Sequence, residues 1–339
     1  MLDGALTGIK MRHILVVCIC LLSACLSTNS INFSVQDILK KYPESEWAIG
    51  IGKADSLSLA ENEAKAELAK VFKVNINSSS EAYSIAYQSL IKYTSDKRLL
   101  ETIAISSDIK NLIGVTTDIY NIKNSFYVCA KLNKKEGITI YKKLIKNNEQ
   151  VITALLKQSS NESDKLTEYK LINSAYSIAD LTADYISILS VLDSTGEYKL
   201  TKSKDDIKLT LMNKAKNITF NVDMHTTSRL IKNNAMIGYF SQILTGKGFH
   251  ISATRPDYDL NIDYTLDEAN YYEGKYKFVR YELKTNLYDR RRSVLVSFNA
   301  NDRVGHASLD GAIKIALIAT EEVILTDWSD AFNKHLNSL

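Results

Sequence analysis

The sequence predicts an α+β fold, with two α+β domains whose helices pack on small antiparallel sheets and a helical segment joining them. Three observations predict it. Apolar residues recur every three or four positions over Leu57–Val71, the spacing of one helix face. Over Tyr258–Leu266 they alternate with Asp259, Asn261 and Asp263, the period of a half-buried strand. In the second half the order is strand, helix, strand, three further strands and a helix, which segregates helices from strands. The 339 residues are 45% apolar, enough for sizeable cores in two domains.

Residues 1–24 read as a signal peptide, with Met11 taken as the initiator and Met11-Arg12-His13 as its basic start. Ile14–Leu22 is an apolar run too short to cross a membrane and of the right length for the core of a signal. Leu22-Ser23-Ala24-Cys25 follows directly and resembles a bacterial lipobox. That resemblance implies cleavage before Cys25 and lipidation of its thiol and amine. The competing reading is an ordinary signal cut near Ala24, leaving a free thiol. Leu26 and Ser27, with no aspartate after the cysteine, resemble outer-membrane sorting and a periplasm-facing protein. Three acyl chains exceed the two signals that stable anchoring needs.

Residues 25–44 read as a tether, with a short amphipathic piece before Pro43, one of two prolines in the chain. Residues 45–150 form the first expected domain. Its elements are a strand with glycines at Trp47–Gly52, then a helix over Leu57–Val71 that buries Leu57, Ala60, Ala64, Leu68 and Val71. Ser58 and Glu61 form an expected capping box there. Val74–Ser89 reads as a strand or ribbon, and Arg98–Asn111 as helix or strand. Leu112–Tyr120 and Phe126–Leu132 read as strands with a turn at Asn121–Ser125, and Lys134–Leu156 as a long helix. Residues 151–200 read as a helical connector broken by the polar loop Gln158–Lys165 and closed by Thr195-Gly196.

Residues 201–339 form the second expected domain. Strands are expected at Ile218–Val222, Phe249–Ala253, Tyr258–Leu266, Tyr276–Tyr288 and Val294–Asn299. Helices are expected at Thr226–Thr245, stopped by Gly246 and Gly248, and at Leu309–Ile324, with Ala312, Ile315, Ala316 and Ala319 inward.

The G-x-G at Gly50 and Gly52 invites a phosphate-loop reading. A dinucleotide fingerprint needs a third glycine where Asp55 stands, and a P-loop needs Ser or Thr where Ala54 stands. The reading is therefore structural: glycines that let another backbone pass closely. Four cysteines occur in the chain; Cys18 and Cys20 leave with the signal and Cys25 would carry lipid, so Cys129 has no disulfide partner and reads as a small buried hydrophobe. His225, His250, His306 and His335 lack the spacing of a zinc site, and no metal or cofactor is expected. A net charge of +3 gives no pull toward nucleic acid.

Two patches are candidate binding surfaces. Arg290-Arg291-Arg292 is a basic turn, either a solvated hairpin tip or a contact for anionic lipid or a polyanionic wall polymer. Tyr271, Tyr272, Tyr276 and Tyr281 crowd together, either as core and strand surface or as an aromatic face for sugar or peptide. Asp257, Asp259 and Asp263 alternate along one strand with no general acid in evident reach.

Trp47, Gly50-x-Gly52-x-Ala54, the helix ending Glu67-Leu68-Ala69-Lys70, Leu112-Ile113-Gly114-Val115 and Tyr127–Lys134 together resemble the LPP20-like bacterial lipoprotein domain. Within the last piece Cys129, Asn133 and Lys134 replace that family's leucine, aspartate and arginine. The resemblance covers about a third of the chain. It implies helices against a small antiparallel sheet and an envelope location, and it brings no catalytic residues. Gly246-Lys247-Gly248-Phe249, Tyr258-Asp259-Leu260 and the terminal helix are similar to the modules of TolB amino-terminal domains and CsgG/LpoB-like lipoproteins.

The expected function is thus a lipid-anchored envelope scaffold without catalysis, held to the membrane through Cys25, with an envelope protein or peptidoglycan as partner. A periplasmic carrier of a small apolar or glycan ligand is the alternative. A cell-wall hydrolase ranks last, for want of a paired acid and base.

Overall fold

The computed structural model describes residues 34–72, 112–122, 125–228, 230, 235–273 and 275–338, with the side chains of residues 235 and 270–273 outside the description. The signal, Cys25, and the expected elements at Val74–Ser89 and Arg98–Asn111 also lie outside it. The fold is α+β, with two sheets separated by helices.

The first unit opens with α1 (Val35–Lys41), β1 (Trp47–Ala54) and α2 (Leu57–Phe72). β2 (Thr116–Ile122) and β3 (Ser125–Asn133) complete an antiparallel sheet of order β1-β3-β2. Gly50 and Gly52 lie within β1, opposite Ala130 and Val128 of β3. A Cβ on Gly50 would fall inside the backbone of Ala64 and Leu68, and one on Gly52 inside that of Ala60. The glycines therefore bring α2 into backbone contact with the sheet, as the close-passage reading expected. Ala60, Ala64 and Leu68 are buried there. Val71 is exposed instead, and Phe72 takes its inward place. The expected capping box is displaced. α2 starts at Leu57, Ser56 Oγ accepts from the Leu59 amide at 3.4 Å, and Glu63 accepts from the Lys53 amide at 2.8 Å.

α3 (Lys134–Ser159) and α4 (Lys165–Leu192) form a long antiparallel hairpin joined by the short polar loop that was expected. Asn133 caps α3 by accepting from the Glu136 amide at 3.1 Å, and Asp164 caps α4 by accepting from Thr167 at 2.8 Å. Buried Asn148 donates to Thr182 across the hairpin at 2.9 Å. Among the described residues, α4 is the one helix long and apolar enough to cross a membrane. Its apolar side chains are instead spent in the core, from Leu166 to Leu192.

α5 (Lys204–Ala215) was not expected; Leu209 and Met212 point outward and blur its periodicity. β4 (Thr219–His225), α6 (Ala235–Gly246) and β5 (His250–Ile251) follow. The expected helix over Thr226–Thr245 is shorter, because residues 226–228 are irregular and the Ser228 hydroxyl donates to the Leu266 carbonyl. β6 (Tyr258–Glu273), β7 (Tyr276–Tyr288) and β8 (Val294–His306) form a meander. The second sheet runs β5-β4-β6-β7-β8, with β4 parallel to β5 and β6 and the rest antiparallel. Tyr258, Leu260, Ile262, Tyr264 and Leu266 are all buried, as their alternation predicted.

α7 (Leu309–Val323), a π-helical turn (Ile324–Trp328) and α8 (Ser329–Asn337) close the molecule over this sheet. Buried positions recur every four residues from Ala312 through Ala316, Thr320, Ile324, Trp328, Phe332 and Leu336. An α-helix has 3.6 residues per turn, so a strict four-residue repeat drifts around its axis. The wider π-turn takes the drift back and keeps Trp328 and Phe332 stacked inside. Ile315, expected inward, is exposed; Thr320 is buried and bonded to Tyr264 at 3.1 Å. One continuous cluster of buried side chains runs from Ala48 to Leu336.

Candidate functional site

Asp257 stands at the head of β6 and is only 5% exposed. Four donors meet its carboxylate. Lys165 Nζ reaches Oδ2 at 2.8 Å, the Thr219 amide and hydroxyl reach it at 3.0 Å each, and Arg290 Nη2 reaches Oδ1 at 2.5 Å. Burial raises this carboxyl, but Lys165 and Thr219 outweigh it and hold the group below the usual carboxylate value. Beside it, the Tyr258 hydroxyl donates to Asp164 at 2.6 Å and accepts from the Leu166 amide at 2.8 Å. A cleft of about 410 Å³ opens here, lined by Asp164, Lys165, Asp257, Tyr258, Arg290 and Arg291 among others. Its charged groups are largely committed to each other. An ionised carboxylate held by four donors is a poor proton donor. What the cluster does is tie three segments together: the start of α4, the β4–β6 edge and the β7–β8 turn.

The basic turn is thus partly internal. Arg290 serves Asp257, and Arg292, in the left-handed region at φ 64°, lies 3.5 Å from Asp259. Tyr276 and Tyr281 do not form one face with it. Tyr276 opens β7 and is 56% exposed, whereas Tyr281 is buried in the core. Arg290 follows the other end of the 13-residue β7, about 40 Å from Tyr276 at the usual strand rise. The side chains of Tyr271 and Tyr272 lie outside the described residues.

A second polar centre lies on the outer face of the first sheet, and sequence reasoning missed it. Asp118 of β2 accepts from Lys131 of β3 at 2.5 Å, from Lys41 at 3.0 Å and from the Tyr42 hydroxyl. Burial raises the Asp118 carboxyl, but Lys131, Tyr42 and Lys41 outweigh it and hold it well below the carboxylate range. Lys131 Nζ also lies 4.3 Å from the centroid of the Tyr42 ring. The contacts pin α1 across the sheet, over Ile38, Tyr42 and Cys129. The signal was the hairpin register: Thr116 pairs with Lys131 and Asp118 with Cys129, so Asp118 and Lys131 are diagonal neighbours on one face. Cys129 is buried as expected, and burial pushes its thiol up to about 11, which leaves it unreactive. His335 is pushed down to about 4 by burial and by Lys170. Among the described residues no group of three His, Cys, Asp or Glu side chains could hold a metal ion.

An apolar groove of about 550 Å³ opens on the α1 side of the molecule. Leu39, Trp47, Ile49, Val71 and Val191 line it, with Lys134 and Glu44 as its charged members. These positions are scattered over 150 residues of sequence, so no local pattern marks them.

No protein-family model and no curated protein matches the chain. Among solved structures it is similar to the secreted protein HP1454 of Helicobacter pylori, at 14% identity and a TM-score of 0.38, covering 83% of this chain and 97% of that one. It is also similar to a minor lipoprotein of Acinetobacter baumannii, at 14% identity and a TM-score of 0.26, covering 35% of this chain and 90% of that one. Neither TM-score reaches 0.5, so neither likeness carries a role over to this chain.

Proposed function

We propose that this chain is a lipid-anchored protein of the bacterial cell envelope, facing the periplasm from the outer membrane, and that it acts as a binding or assembly scaffold with no catalysis of its own. The observation that carries the reading is Leu22-Ser23-Ala24-Cys25, placed directly after the apolar run Ile14–Leu22. The LPP20-like features from Trp47 to Lys134 support the same location. The two charged centres support a scaffold: Asp257 and Asp118 are saturated by internal donors and stiffen the joints between elements. The partner is an envelope protein or the peptidoglycan. Crosslinking in intact envelopes followed by purification through a carboxy-terminal tag tests it. A specific envelope protein or wall fragment, lost when Cys25 becomes Ser, supports the reading. Recovery of the chain alone, with no envelope defect on deletion, counts against it.

A further inference from the structure

The apolar groove and the anchor lie at the same end of the chain. Residues 26–34 are all that separate Cys25 from α1, a span of at most about 32 Å when fully extended. α1 is itself pinned to the sheet by Tyr42 and Lys41, so the anchor holds this end of the body near the bilayer. Ile38 and Tyr42 face the sheet, while Val35 and Leu39 face outward, each about two-fifths exposed. Val71, at the end of α2, and Val191, at the end of α4, line the same groove and are equally exposed. Three helices therefore contribute apolar side chains to one surface, which isolated exposed residues do not do. Lys134 and Glu44 line it, Lys40 follows Leu39 in α1, and Trp47 sits within it, an indole beside charged groups of the kind that suits a headgroup region.

We propose that this surface docks on the bilayer that holds the anchor, with Val35, Leu39, Val71 and Val191 seated at headgroup level and Trp47 at the boundary. The inference rests on lipidation of Cys25, and its test separates the two. Trp47 and Trp328 are the two tryptophans of the chain, and Trp328 is buried. Trp47 is therefore a built-in reporter. The lipidated full chain is reconstituted into phosphatidylcholine–phosphatidylglycerol vesicles with and without a lipid spin-labelled near its headgroup. The expected result is flotation with the vesicles and roughly half of the Trp47 emission quenched. Leu39→Glu with Val191→Glu, both at exposed positions, should still float and lose that quenching; Val191→Glu alone should weaken it. A chain that floats with unquenched emission overturns the docking and leaves the anchor standing. A chain that does not float overturns both. Concentration-dependent shielding of Trp47 from iodide in the full chain carrying Cys25→Ser, without vesicles, marks a self-interface and also overturns the docking.

Discussion

At the scale of single residues, the glycines make the sharpest claim. Gly50 and Gly52 occupy the positions where α2 meets β1 backbone to backbone. Gly50→Ala is expected to destabilise by about 3 kcal/mol, because neither backbone can move far in a packed core. Thermal melting would show a drop of several degrees. Gly238 is the control: it lies inside α6 with open space around its Cα. Gly238→Ala should raise stability by about 0.5–1 kcal/mol. His335 gives a pH dependence. Its folded value, about 4, lies below its ordinary 6.5, so the folded state favours the neutral ring. Stability is full above about 6.5 and falls as the pH drops toward about 4. Urea midpoints at pH 7.5 and 5.0 should differ, and His335→Gln should narrow the difference. The failure of the phosphate-loop reading of Gly50 was legible in Ala54 and Asp55. That α2 is what the glycines admit was not, because the contacts join residues eight to eighteen positions apart.

At the scale of elements, strands with one buried face were the most legible. Along Tyr258–Leu266 of β6 each alternate residue enters the core, and the sequence shows it. α5 was illegible because Leu209 and Met212 break its apolar face. The extension of α7 into α8 was illegible because its four-residue repeat needs a π-turn that no residue pattern announces. The charged centres were legible only as residues: Arg290 was noted as a basic turn and Asp257 as one of a row, and the fold alone shows that they meet. Asp257→Ala strands Lys165 and Arg290 at the joint of three segments. It should cost about 3 kcal/mol, more than Arg290→Ala, which leaves Lys165 and Thr219 in place. Chemical denaturation of both variants gives the comparison. In the first sheet, Asp118→Ala should free α1 without unfolding the body. Hydrogen exchange should then rise over residues 35–42 and stay slow in α4.

For the whole molecule, the continuous core binds both sheets to the α3–α4 hairpin. A body stiffened at its joints accords with the proposed scaffold role, and Tyr281, packed inward, is not available to the alternative carrier. The proposal's central claim is the anchor. The most direct measurement is intact mass and amino-terminal mapping of the chain purified from bacterial membranes, beside Cys25→Ser. The mature chain should begin at Cys25 carrying diacylglyceryl and acyl groups, and Cys25→Ser should yield an unlipidated chain. A wild-type chain with an unmodified Cys25, or one that begins elsewhere, would contradict it.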